Sequence, residues 1–521
     1  MNLNREAEKK HAIAAHLLIF VFSSYMLTAS IPQLHLTDQS AVRYEVTVSI
    51  AEKHDLAISN GYGVRGKDGR YYGYYGLGWS VLAVPFYVLG KFIVGGSEPL
   101  VYLMQLLAGA ATVAVVFLFC VSLGYSNRSS LITSIFYGFG SMAWPLAKQP
   151  FEHVVETLFV LLSVYFLYLF AQREKITRLI LSAVLLGIAL NIRITSLLVV
   201  PALFLIAGAA SLKERSLMDS TNKLIKQMVV FVAVLLPFVL IILWYNNYRF
   251  GSIYETGFQL IAAKTGIDFF SGTPLLTGLH GFLLSPGKGI FYYSPVALLF
   301  FPAILPFYKK HSGIALGFLA IISSYLLFLS KNIYWHGDWS WGPRYLLAIL
   351  PFLIIPVVEL FETDKERKKS SLRIAIIYGI FILGIVLQVA AVSVDCCKYF
   401  FDLQMEKNMQ FTVEKGIGVP DIIEPPPEVH FNWEMSPILA RFQSIYEMGR
   451  RIKNYRHVDL SENTPLPEKI KAYPPMNIYD FWWLYMYYVN GIRTGFFVAA
   501  ALGGICIISS YRLITMSRCQ T

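Results

Sequence analysis

The chain has 521 residues, 55% of them hydrophobic and 15% charged, where a soluble protein carries roughly 25% charged residues. A water-soluble fold is excluded, because apolar segments of about 17 to 25 residues recur along the whole length and each can cross roughly 30 Å of hydrocarbon as a helix. The net charge of +11 is spread over short loops instead of one soluble domain, so it speaks for orientation in a membrane and against nucleic acid as a partner.

Basic clusters mark the cytoplasmic side of a membrane protein, and they order the elements. The tail with Arg5, Lys9 and Lys10 is expected inside, followed by a first span over residues 12–31 that runs into Pro32 without a small-residue cleavage site and is therefore retained. Residues 32–98 are expected outside. There Thr37, Asp38 and Gln39 precede Val42, Val46 and Ile50, a four-residue recurrence that predicts a surface helix with one apolar face. The aromatic, glycine-rich stretch from Tyr71 to Trp79 then leads into 77–95, which is apolar apart from Lys91. Reading 77–95 as a span would move Arg173, Lys175, Arg178, Lys213, Arg215, Lys223 and Lys226 outside, so a helix or helical hairpin in the outer interface is expected instead. Further spans follow at 99–122, 131–147, 153–171, 179–193, 195–211, 228–246, 286–306, 313–331, 344–360, 373–394 and 491–511. The predicted fold is thus an all-α polytopic membrane protein of about 12 transmembrane helices with both termini inside. Residues 1–394 form its transmembrane domain and 395–490 a small extracytoplasmic segment, while 491–521 hold the last span and a tail. No internal repeat is evident, and the five cysteines show no zinc or haem spacing.

The polar residues that stand out collect in the outer segments. Asp38 before its helix suits an N-cap, and equally a general base at the mouth of the bilayer. Glu152, His153 and Glu156 open one span, and Arg193 lies between two short apolar halves. A metal or proton-shuttle role and a polar lining are both open for the trio, with Arg193 as a structural partner of one carboxylate. Asn246 to Ser252, including Arg249, read as a helix end and turn at headgroup level. Ser285 to Gly289 place Lys288 between glycines, as an ordinary turn or as a phosphate cradle. The run Tyr334 to Tyr345, with His336 and Asp338, is dense in aromatics that serve as interfacial anchors. Arg344 is different, since a guanidinium at the start of an apolar helix needs an anion, and a lipid phosphate at the headgroup level is the obvious one.

Taken in order, these elements resemble the GT-C class of membrane glycosyltransferases, and more narrowly bacterial relatives of the dolichyl-phosphate-mannose protein mannosyltransferases and of the aminoarabinose transferases. The resemblance rests on Asp38 with its surface helix, Asp68 to Gly78, Asn246 to Ser252, Ser285 to Pro295, and Trp341 to Tyr345. It implies a GT-C-like bundle that moves a sugar from a polyprenyl-phosphate carrier to an acceptor glycan, lipid or protein on the extracytoplasmic face, with inversion. Asp38 would be the base, and Arg344 and Lys288 would hold the donor phosphate. Glu45, Glu152, His153, Arg249, Tyr345, His336 and Asp338 would be further cleft candidates. Asp38 is followed by Gln39 and not by a second acid, so no metal and no cofactor beyond the lipid-linked donor is expected. The implied setting is a bacterial inner membrane. A transporter or flippase with Glu152, Glu156 and Arg193 in its pathway is the rival reading, and a scaffold whose 395–490 segment binds a partner is a third.

Overall fold

A computed structural model describes residues 2–31, 38–59, 63–93, 96, 98–211, 217–266, 272–337, 340–362, 371–396, 398–399, 402, 427–454, 478–488 and 492–518. Helices α1 (Asn2–Leu27), α2 (Asp38–Val48), α3 (Gly78–Ile93), α4 (Glu98–Ser122), α5 (Asn127–Gly140), α6 (Ala143–Ala147), α7 (His153–Arg173) and α8 (Ile176–Ile192) form the first half. They are followed by α9 (Val200–Ser211), α10 (Leu217–Phe250), α11 (Phe258–Thr265), α12 (Leu275–Leu284), α13 (Ile290–Tyr293), α14 (Phe300–Lys310) and α15 (Ser312–Leu329). The remaining long helices are Arg344–Phe361, Ser371–Ser393, Pro437–Asn454 and Thr494–Arg518.

Among the described residues, 8 helices are long and apolar enough to cross a membrane: Glu8–Leu27, Glu98–Ser122, His153–Arg173, Met218–Phe250, Ser312–Leu329, Arg344–Phe361, Ser371–Ser393 and Thr494–Ser517. Every span read from the sequence is helical, but the other four are short or interrupted. Ile176–Ile192 and Ile194–Ala209 are shorter apolar helices, the second opening in a 3-10 turn. The 131–147 segment breaks at Ser141 into α5 and α6, and the 286–306 segment breaks at Ser294 between α13 and a 3-10 turn. The two breaks answer each other, because the Met142 amide donates to Ser294 Oγ at 2.9 Å. Non-helical backbone at bilayer depth is tolerable only when protein satisfies it in this way.

Position follows from side-chain character. Helix α4 and the Arg344–Phe361 helix are mostly buried and form the centre, while α10 and the last helix face outward. Helix α4 packs on α1, α3, α5 and α7, and α7 lies along α8. Helix α3 is an apolar helix shorter than a full span, and it buries Trp79, Ala83 and Tyr87 against its neighbours.

Helix α2 departs from the one-faced surface helix that its spacing predicts. Val42 and Val46 do form an apolar face, packed with Ile58, Ile50, Tyr75 and Leu77. The flanking and opposite sides are buried too, since Arg43 and Thr47 are 1% and 0% exposed and Ser40 and Tyr44 0% and 6%. Thr47 and Ser80 hydroxyls tie it to α3 by donating to Ser80 O and Arg43 O. After α2 a three-stranded antiparallel sheet, β1 (Ala57–Ile58), β2 (Val64–Arg65) and β3 (Tyr71–Tyr72) in the order β1-β3-β2, pairs Tyr72 with both Ala57 and Val64.

Candidate active site

The strap between α6 and α7, Lys148 to Glu152, organises a buried ionic cluster because its residues face different elements. Pro150 O lies 3.5 Å from Nη2 of Arg43 on α2. Phe151 presents its ring 4.0 Å from the Arg344 guanidinium. Glu152 Oε1 accepts from Arg193 Nη1 at 2.7 Å. Its Oε2 lies 2.8 Å from Arg43 Nη1, an ion pair too bent to count as a hydrogen bond.

Arg193 is delivered by the end of α8, where the backbone leaves the helix for an extended conformation. Its Nε reaches Glu156 Oε2 at 3.1 Å. Glu156 Oε1 also accepts from Ser196 Oγ at 3.0 Å, Thr195 Oγ1 at 3.2 Å and the Tyr325 hydroxyl at 3.3 Å. Arg193 Nη1 is 2.9 Å from His153 Nε2. A guanidinium can only donate, so Nε2 accepts and the neutral ring carries its proton on Nδ1. That buried Nδ1 has no hydrogen-bond partner.

Arg344 enters from the first position of its helix, after Pro343. It is 3% exposed, and among the described residues its guanidinium makes no ion pair and no hydrogen bond. It rests on the rings of Phe151 and Tyr345, at 4.0 and 5.2 Å. Tyr345 joins it to the cluster, with the Arg193 guanidinium 5.3 Å from the same ring and the His153 ring tilted against it at 5.3 Å. Two glycines with positive φ make this placement feasible. A Cβ on Gly337 (φ +64) would sit 3.0 Å from Arg344 Nε, and one on Gly342 (φ +67) 2.9 Å from Tyr293.

Three guanidinium groups, Arg43, Arg193 and Arg344, therefore face two carboxylates, Glu152 and Glu156, in a largely dry setting. Burial lowers the pKa of Arg43 and the Glu152 charge opposes that shift. Among the described residues, the buried nitrogens Arg43 Nε, Arg344 Nε, His153 Nδ1 and Trp79 Nε1 lack an acceptor, against two buried oxygens, Glu152 Oε2 and Gln149 Oε1, that lack a donor. The described groups thus leave one positive charge and more donors than acceptors, a balance that suits an acceptor-rich anion.

The structure brings Glu152, His153, Tyr345 and Arg344 together, and pairs Glu156 with Arg193. Arg43, which sequence reasoning passed over, is the residue that ties α2 to them. Asp38 is the first residue of α2, five positions before Arg43 and so about 7.5 Å along the axis from it; its side chain lies outside the described residues. Asp338 lies outside them as well. Glu45 is elsewhere, accepting from Ser59 N and Oγ at 3.2 Å. Arg249 brackets the 73–75 loop, donating to Gly73 O, to Tyr75 O at 3.4 Å and to Asn246 Oδ1 at 2.8 Å. Lys288 is fully buried and its Nζ donates to Ser340 O at 2.8 Å, bracing the loop that carries Arg344. His336 stacks on His430 at 4.5 Å.

Residues 84–244 match the sequence model of the dolichyl-phosphate-mannose-protein mannosyltransferase family. The stretch is mannosyltransferase-like. It contains Glu152, His153, Glu156 and Arg193, whereas Arg43 and Arg344 approach this mannosyltransferase-like stretch from either side of it in sequence. No curated protein sequence matches the chain. Among solved structures it is similar to the Archaeoglobus fulgidus oligosaccharyltransferase in its apo form, at 12% identity over 79% of this chain and 61% of that one, TM-score 0.48. The archaeal oligosaccharyltransferase AglB from Archaeoglobus fulgidus, in complex with an inhibitory peptide and a dolichol-phosphate, gives 12% identity over 82% and 64%, TM-score 0.49. ArnT from Cupriavidus metallidurans bound to undecaprenyl phosphate gives 13% over 73% and 63%, TM-score 0.43. The chain spans less than two thirds of the length of each of these proteins.

Proposed function

We propose that the chain is a membrane glycosyltransferase of GT-C type that moves a sugar from a polyprenyl-phosphate carrier to an acceptor at the extracytoplasmic face of a bacterial inner membrane, with inversion. The observation that carries this reading is Arg344, a buried guanidinium without a counter-ion among the described residues, beside a cluster with one positive charge to spare. A carrier phosphate supplies the missing charge and the missing acceptors, and the same contacts stabilise it as it leaves. The mannosyltransferase-like stretch supports a phosphate-linked lipid donor.

In this reading Asp38, at the start of α2, takes the proton from the acceptor hydroxyl. Arg43, Glu152 and Arg193 hold α2 in place and keep the cluster positive, and Lys288 positions the loop of Arg344 through Ser340. The route needs no metal or cofactor. The rival pathway reading gains nothing, because Glu152, Glu156 and Arg193 are spent on one another.

The test is Asp38→Asn in purified protein, assayed with a polyprenyl-phosphate sugar. Loss of a single positioned base costs about 10²- to 10⁴-fold in turnover while donor binding is retained. Turnover within a factor of a few of the parent removes Asp38 from the chemistry.

A further inference from the structure

The Pro437–Asn454 helix turns a charged residue inward and large apolar residues outward. Arg441 is 3% exposed, and its Nη1 donates to Val394 O at 2.9 Å and to Asp395 O, the carbonyls just past the end of the Ser371–Ser393 helix. Met448 is buried. Leu439, Phe442 and Tyr446 are 55%, 42% and 66% exposed, and the preceding Trp433 and Met435 are 51% and 36% exposed. Positions 439, 442 and 446 share one helix face, on which Gln443 is also exposed and donates to Glu447 Oε1 at 3.0 Å. Three large apolar side chains beside polar ones on a free side suit a helix at an interface better than one bathed in water.

Its hydrogen bonds fix the level at which it lies. Ile445 O accepts from the Tyr479 hydroxyl at 3.1 Å. The next residue, Asp480, donates its amide to Ser393 O at 3.0 Å and pairs its carboxylate with Lys148 at 2.8 Å. Trp482 N donates to Ala29 O at 2.9 Å, and the indoles of Trp482 and Trp483 donate to Met26 O and Leu27 O at 2.8 and 2.9 Å. The helix is therefore tied to the same-side ends of two spans, α1 and Ser371–Ser393. That is the plane where hydrocarbon gives way to headgroups, and Trp and Tyr are at home there. The Ser371–Ser393 helix on which it packs also has a free apolar surface, with Ile382, Val386 and Val389 60%, 47% and 44% exposed. Arg450, exposed one turn beyond Tyr446, is followed by Arg451 and Lys453 in the sequence.

We propose that Trp433, Met435, Leu439, Phe442 and Tyr446 form a lipid-docking face. The helix lies in the leaflet at the site end of the bundle, with these side chains at the acyl boundary and Arg450 among anionic headgroups. Its partner is phospholipid, and the inference stands independently of the glycosyl-transfer reading.

Full-length protein carrying p-benzoylphenylalanine at Phe442, or separately at Leu439, is irradiated in native membranes and analysed by intact mass. Adducts of one phospholipid are expected at both positions, in a yield like that of the same probe at Ile382. A crosslink to a second copy or to another protein overturns the proposal. So does the absence of any adduct, as expected for a water-facing control at Arg65.

Discussion

Arg344 and Glu152 share one cluster, yet removing their charges should have opposite effects on the folded protein. An ion withdrawn from water costs several kcal/mol even after relaxation, and only a partner offsets that cost. Arg344 has no such partner among the described residues, so Arg344→Met removes the cost, and Met keeps the packing against Phe151 that the guanidinium makes at 4.0 Å. The variant should be as stable as the parent or more so in a detergent thermal-unfolding assay. It should bind a polyprenyl-phosphate sugar more weakly by about 2 to 5 kcal/mol, roughly 30-fold to a few thousand-fold, the range for losing one side of a buried charged contact. Glu152 lies between Arg43 at 2.8 Å and Arg193 at 2.7 Å. Glu152→Gln leaves three guanidinium groups facing a single carboxylate and should cost about 3 to 5 kcal/mol of stability. If Arg344→Met unfolds early with donor binding intact, Arg344 is a structural cation and the assignment of a phosphate to it is wrong.

Gly342→Ala should strain the backbone by about 1 to 3 kcal/mol and push Tyr293, which its Cβ would approach to 2.9 Å. It should therefore raise the KM for donor, whereas Gly124→Ala, also at positive φ but with nothing within 4 Å, should leave kinetics unchanged. Lys148→Met strands the buried Asp480 carboxylate that it pairs with at 2.8 Å and should cost about 3 to 5 kcal/mol. Lys148→Met with Asp480→Leu should lose clearly less in the same unfolding assay, and equal losses would show that the pair is not coupled. The loop sheet should be acid-sensitive. Arg70 and the Tyr72 hydroxyl hold Asp68 down to about 2, below its unfolded value of roughly 3.9. Its folded pKa is the lower one, so its contribution is complete above the unfolded value and is lost as pH falls towards 2. Amide exchange protection at Tyr71 and Tyr72, corrected for intrinsic rates, should drop over that window in the parent and be lower and flat in Asp68→Asn.

Much of the fold was legible because bilayer crossing imposes length and apolarity on each segment, and both are written locally. The breaks at Ser141 and Ser294 were not legible, since each is made tolerable by the other, through a hydrogen bond between Met142 and Ser294, 152 residues apart. In the site, Arg344 and the Glu152 to Arg193 pairing could be read because charge inside apolar sequence is conspicuous. Arg43 was hidden by its surroundings: it sits in a helix whose Val42, Val46 and Ile50 spacing implies that the other side meets water. The available signal was the small hydroxyl-bearing residues on that supposed wet side, Ser40 and Thr47, both 0% exposed. For Lys288 the local sequence shows only half of the arrangement. A lysine between glycines suits a phosphate loop, and the contact of its ammonium with Ser340 O, 52 residues away, could not be read from that spacing. The two-residue strands of the loop sheet were too short for any periodicity to show.

The strap from Lys148 to Glu152 gives the C-terminal residues around Asp480 a physical route to the site. Lys148 holds Asp480 and Val392 O, the latter at 2.6 Å. Three residues later Phe151 carries Arg344, and Glu152 carries Arg43 and Arg193. On the opposite side Ser436 donates to Pro286 O at 3.1 Å and the Gly287 amide to His430 O at 2.9 Å. The Ser285 to Gly289 turn, whose Lys288 braces Ser340, is thus fastened to His430 and Ser436. Both anchors of Arg344, the ring beneath it and the loop that bears it, depend on contacts with His430, Ser436 and Asp480. Loosening that segment should therefore weaken donor binding before it affects the acceptor, which an acceptor-binding cap would not do.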